Sequence, residues 1–197
     1  MQGVRVLCDR YGILMITDEV MSGFGRTGKW FAVDHWDVVP DMITMAKGLT
    51  SGYAPLGEVA INEEISEFFN HRVFYGGLTY NGHPLSLSAA IANIEVLRDE
   101  DLIHRSALLG TELKTCLEEL RDKHPSVGEV RSIGLFSAIE LVKDRYSREP
   151  LAEYNQTSEA MQRVHKYLLD HGVFLYTHWN ILLIIPPLII TKEELHH

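Results

Sequence analysis

Lys47 stands in Ala46-Lys47-Gly48-Leu49-Thr50-Ser51-Gly52, where an apolar run of strand length, Met42 to Ala46, gives way to a glycine-flanked turn. A lysine in that setting can attack a carbonyl carbon and form an imine, provided burial disfavours the ammonium and frees the neutral amine. Taken alone it also reads as a solvated loop lysine, the commoner state of that residue. Asp18 ends an earlier apolar run, Ile13-Leu14-Met15-Ile16-Thr17. A carboxylate there can keep a pyridine-type nitrogen protonated, since an opposite charge within ~4–6 Å raises such a pKa by about 1–3 units. The alternative is an aspartate that only caps the next turn. The conjunction favours chemistry, because sites in open α/β sheets gather outside the carboxyl ends of the strands.

The elements that must position these two residues are legible around them. Val4, Leu7, Cys8 and Tyr11 recur at helical spacing up to Gly12, a C-cap, and the Asp18 strand follows. A glycine-rich loop, Gly23 to Gly28, precedes the Lys47 strand. Arg26 in that loop invites comparison with a phosphate cradle, but the spacing is not that of a P-loop, and a structural role is favoured. Glu58 to Ile61 reads as a further strand, Glu63 to Asn70 as a short helix, and Pro84 as the N1 proline of a helix through Leu97. The polar break Asp99-Glu100-Asp101 divides residues 1–100 from a smaller unit, 101–197. In that unit Leu102 to His124 has helical period, Val127 to Ser132 pairs with Leu135 to Val142 across Gly134, and Thr157 to His171 is helical. Val173 to Tyr176 and Ile181 to Ile185 read as strands. Trp30, Phe31 and Trp36 are expected on the core, and Tyr53 at the edge of a substrate pocket.

Composition excludes several function classes. A net charge of −9, with 18 scattered basic residues, argues against a nucleic-acid partner, which needs clustered cations. The longest apolar stretch, Ile181 to Ile190, is too short to span a bilayer and is broken by Pro186-Pro187. Cys8 and Cys116 match no metal or redox spacing and read as reduced thiols of a cytoplasmic protein. His83, His171 and His178 lack metal-ligand spacing, so no metal is expected. The terminal His196 and His197 are given no role.

Two segments carry a resemblance. Thr17-Asp18-Glu19-Val20-Met21-Ser22-Gly23-Phe24-Gly25-Arg26-Thr27-Gly28 resembles the aspartate signature of the class III aminotransferases, and Pro40-Asp41-Met42-Ile43-Thr44-Met45-Ala46-Lys47-Gly48-Leu49 is similar to their lysine signature. Likeness continues through Thr79-Tyr80-Asn81-Gly82-His83-Pro84, Val130 to Leu135 and Pro186 to Thr191, so it covers nearly the whole chain. The resemblance implies pyridoxal 5'-phosphate (PLP) as cofactor and an α/β chain: part of the fold type I large domain, a mainly parallel sheet with helices, followed by a smaller α+β domain. It implies that Lys47 carries the cofactor and shuttles the proton, that Asp18 pairs with the pyridine nitrogen, and that Val20 packs on a ring face. Thr79 would bind the phosphate of the neighbouring subunit, which implies a homodimer. Its place before a helix suits an anion; without the family it reads equally as an N-terminal cap.

The reaction implied is amino transfer from an ω-amino acid or amine to a keto acid such as pyruvate. An aminomutase or racemase of the same fold, or a non-catalytic fragment, stands as the alternative. Family members are roughly twice this length and hold a phosphate loop and a ring-stacking aromatic upstream, so the chain is expected to be a fragment with a truncated second domain. Relatives acting on ornithine, acetylornithine or 4-aminobutyrate carry a carboxylate-gripping arginine where this sequence has Leu183. That substitution points toward the ω-amino acid or taurine:pyruvate branch, with Arg131 as a weaker substitute cation.

Overall fold

The computed structural model describes residues 1–196, so the end of the expected second domain, His197, lies outside the described residues. The chain divides into two compact units, Met1–His104 and Arg105–His197.

In the first unit, α1 (Gln2–Tyr11) stops at Gly12, whose φ of 62° is the left-handed conformation glycine adopts without a Cβ penalty. Three short strands follow: β1 (Ile16–Asp18), β2 (Met42–Met45) and β3 (Glu58–Ile61), in the order β1-β2-β3. β1 and β2 are parallel and β2 and β3 antiparallel. α2 (Glu63–Phe68) is capped by Asn62, and α3 (Pro84–Asp99) opens on the expected N1 proline.

One polar node pins the amino ends of β1 and β2 to the carboxyl end of β3. The Asp41 carboxylate accepts the Met15 N–H at 2.7 Å, the Arg5 guanidinium at 2.8 Å and the Asn62 side-chain amide at 3.0 Å. The Met15 N–H, with Arg5 beside it, holds this carboxyl below the usual range. A depressed carboxyl stabilises the fold above its unfolded pKa, and that contribution disappears as pH falls through the lowered value. Asparagine at 41 would lose the charge and present an amide N–H₂ to that of Asn62, whose oxygen already accepts the Ile65 N–H. Asp41→Asn in the complete protein is therefore expected to lose about 1.5–3 kcal/mol near neutral pH. Urea titrations of both proteins should show the gap closing as pH drops below the ordinary carboxylate range.

The second unit is built on α4, the helix Leu102–Lys123 whose first turn contains the division. Its other elements are β4 (Val127–Ile133), β5 (Phe136–Asp144), the two-residue β6 (Glu149–Pro150), α5 (Glu159–Asp170), β7 (Tyr176–His178), β8 (Ile181–Ile184) and the short α6 (Lys192–Leu195). The antiparallel sheet runs β4-β5-β8-β7, with β6 beside β5. Leu113, Leu117, Leu135, Ile139, Met161 and Leu182 form its core. At Gly110 the helix touches the β4–β5 turn so closely that a Cβ would stand 2.4 Å from the Gly134 backbone, so only glycine fits.

The expected strand at Val173–Tyr176 lies further on, at Tyr176–His178. Gly172, at φ 79°, donates to the Leu169 carbonyl and Val173 to that of Leu168. This two-bond helix stop uses the start of the apolar run as an exit from α5. One aromatic expectation also changes: Trp36 is 40 % exposed, so it is not a core residue.

Candidate active site

Parallel pairing brings the two signature segments together. Asp18 is in register with Thr44, and the Glu19 N–H donates to the Thr44 carbonyl at 2.9 Å, extending the pair past the end of β1. Lys47 follows three residues beyond Thr44, opening a 3₁₀ turn, Lys47–Leu49. Both residues thus emerge at the carboxyl edge of neighbouring parallel strands, where the α/β rule places sites.

Asp18 is exposed, and its Oδ1 accepts the Val20 N–H at 3.0 Å. It is therefore a turn cap as well as a presented carboxylate, so the two sequence readings coexist. Val20, half-buried, lies on that turn. Lys47 has φ 39°, left-handed for a residue with a side chain, and its Nζ donates to the Met21 thioether. The amine thus reaches back over the turn that follows Asp18. Lys47 is exposed, beyond the carboxyl end of the central strand β2.

The loop between the signatures is held by a residue to which the sequence reading gave no role. Glu19 is 2 % exposed, and its carboxylate accepts the Ala32 and Val33 N–H groups, each at 3.0 Å, and the Ser22 hydroxyl. A buried charge needs such donors, and here they draw residues 22–33 against the end of β1. Gly23 is required, since a Cβ would meet the Glu19 carbonyl at 2.8 Å. Phe24 then packs edge-on against Phe31, with centroids 5.5 Å apart. A Cβ at Gly48 would stand 3.0 Å from that of Phe24, so the aspartate loop and the lysine turn are in direct contact. Burial pushes the Arg26 guanidinium below its ordinary value, consistent with a structural place in the loop.

Asn93 on α3 is the second residue missed. Its amide donates to the carbonyls of Gly48 at 2.8 Å and Leu49 at 3.2 Å, and its oxygen accepts the Ser51 hydroxyl at 2.7 Å. No local motif announces a contact spanning 45 residues.

Thr79 is exposed, in a turn five residues before Pro84. It does not cap α3; the N-cap is His83, whose Nδ1 accepts the Leu85 N–H at 3.3 Å. In the second unit Leu183 is half-buried on β8. It pairs with Ala138, which pairs in turn with Arg131, so the three residues form one cross-strand row. Arg131 is held 3.5 Å from Glu140. Among the described residues no three His, Cys, Asp or Glu side chains are grouped to hold a metal ion, and no helix is long and apolar enough to cross a membrane. Cys8 and Cys116 are free.

Comparison with known proteins gives this arrangement a family. The model of the class-III aminotransferases matches residues 1–197. The chain is 38 % identical over 194 residues to a putrescine–pyruvate aminotransferase of Pseudomonas aeruginosa, covering 98 % of this chain and 41 % of that protein. It is 43 % identical over 156 residues to a taurine–pyruvate aminotransferase of Bilophila wadsworthia, covering 76 % of this chain and 34 % of that protein. Among solved structures, a taurine:2-oxoglutarate aminotransferase from Bifidobacterium kashiwanohense, in complex with PLP and glutamate, superposes with a TM-score of 0.95 at 46 % identity. That match covers 100 % of this chain and 44 % of the other. The chain belongs to the class III aminotransferase family, and its fold is part of fold type I. It spans less than half the length of these relatives.

Proposed function

We propose that the complete protein containing this chain uses PLP to transfer an amino group from an ω-amino acid or amine to a keto acid such as pyruvate. The observation that carries the reading is the emergence of Asp18 and Lys47 at the carboxyl edge of adjacent parallel strands, joined through the contact of Gly48 with Phe24. The residues fit the cofactor. Asp18 has an exposed carboxylate that would accept a ring N–H, and the Lys47 amine lies over the turn that carries Val20 and Met21. When bound, PLP supplies an electron sink for the carbanion formed at the donor carbon. Lys47 would hold the cofactor at its aldehyde carbon and would serve as the group that moves the proton. Asp18 would keep the ring nitrogen protonated, and Val20 would pack on one ring face. Thr79 would bind the phosphate of a neighbouring subunit, which would make the working unit a homodimer. The two free thiols suit a cytoplasmic location.

Product analysis with and without added keto acid tests the reaction. Amino transfer requires the acceptor; product formed equally well without it would identify a mutase or racemase instead. A preparation of the complete protein that stays colourless after PLP is added would contradict cofactor binding altogether.

Leu183 sets the expected donor class. A bidentate arginine–carboxylate contact is charge-assisted, and losing it costs about 1.5–3 kcal/mol, or roughly 10- to 150-fold in binding. Leucine cannot replace it, and Arg131 is engaged with Glu140. The complete enzyme should accept taurine, β-alanine or a simple amine at least as well as ornithine or acetylornithine. A kcat/KM about tenfold higher for the last two would overturn the donor assignment and leave the PLP assignment standing.

A further inference from the structure

Lys47 is not the only strained residue in its turn. Ser51, with φ 50°, is also left-handed, so two residues with side chains bracket the segment in a conformation that favours glycine. Strain of this kind persists only where surrounding contacts over-determine it. Part of the hold is local: Leu49 and Thr50 are each 2 % exposed, and the Thr50 hydroxyl donates to the Ala54 carbonyl at 2.7 Å. The remainder comes from α3. Ser86, Ala90 and Leu97 are buried on one face of that helix, and Asn93, half-buried, falls on the same face at helical spacing. From there its amide reaches the two carbonyls after Lys47, while Ser51 fixes the amide's orientation by donating to its oxygen.

We propose that Asn93, oriented by Ser51, is a positioning residue that holds the Lys47 turn so that the amine meets the cofactor aldehyde in the attacking geometry. The inference rests on the reading of Lys47 as the PLP-bearing residue and adds the means by which it is aimed. The step it serves is balanced: Nζ adds to the aldehyde carbon, a C=N bond forms, and water leaves. Asn93 takes no part in the bonds. It acts through the backbone of residues 48 and 49, and small misplacements of a reacting group are known to slow reaction strongly.

Asn93→Asp is nearly isosteric, keeps the acceptor for Ser51 and removes the donor to both carbonyls. In the complete protein, freed of cofactor and mixed with PLP, this variant should form the lysine-bound, visible-absorbing species about tenfold more slowly, as expected for two lost hydrogen bonds. Noncovalent PLP affinity, measured with Lys47→Ala in place, should differ less than about twofold between Asn93 and N93D, because Asn93 acts only through Lys47. An unchanged capture rate would overturn the proposal. So would an equal loss of affinity in the Lys47→Ala background, which would mark a general structural role. Should N93D not fold, Ser51→Ala is expected to slow capture about threefold, and no slowing there would overturn the proposal equally. Capture at a different lysine would sink the functional reading and this inference with it; an unchanged rate at Lys47 sinks the inference alone.

Discussion

Lys47→Ala is expected to abolish turnover of the complete enzyme while leaving the protein folded and able to bind PLP noncovalently. The side chain is exposed and its recorded hydrogen bond is to the Met21 thioether, so its removal takes little from the fold. The turn around it is fixed by other groups: the buried Leu49 and Thr50, the hydroxyl of Thr50, and the amide of Asn93. What is lost, on the proposed function, is the amine that holds the aldehyde covalently and then carries the proton, and no neighbour in the turn can replace an amine in both tasks. Steady-state assays of the variant, alongside its melting temperature and PLP affinity, check this. Turnover within about tenfold of the parent would remove Lys47 from the mechanism, since loss of a general acid–base group alone costs about 10²–10⁴-fold.

Asp18→Asn is expected to keep the fold and lose turnover by several orders of magnitude. The amide oxygen can still accept the Val20 N–H, so the turn after β1 survives. Its charge does not. A carboxylate beside a ring nitrogen raises that pKa by about 1–3 units, worth up to about a thousandfold in the protonated fraction at neutral pH. Further loss follows because a neutral amide does not stabilise the charge that develops during reaction. Near-normal kcat in a variant with a normal melting temperature would show that Asp18 serves only as a turn cap.

The aspartate and lysine signatures were legible because strand ends are local features: an apolar run, then a charged residue, then a loop or turn that contains glycine. Their juxtaposition followed from a rule about parallel sheets, and the β1–β2 register bears that rule out. The N1 proline of α3 and the glycine stop of α1 were legible for the same reason, being backbone constraints carried by single residues. What stayed hidden depends on contacts distant in sequence. Glu19 looked like part of a polar strand end, yet it is buried and gathers donors from residues 22, 32 and 33. Asn93 is one of several polar residues on its helix, and only the folded chain brings it to the lysine turn. Val173 to Tyr176 has strand composition, but the helix stop at Gly172 takes Val173 first, and the strand begins only at Tyr176.

The most direct test of the central claim is borohydride reduction of the complete protein with PLP bound, followed by peptide mapping. Reduction fixes the cofactor to whichever lysine holds it. The pyridoxyl group is expected on Lys47, within the peptide that carries Ala46-Lys47-Gly48. A label on any other lysine, or none on Lys47 in a sample that was coloured before reduction, would contradict it.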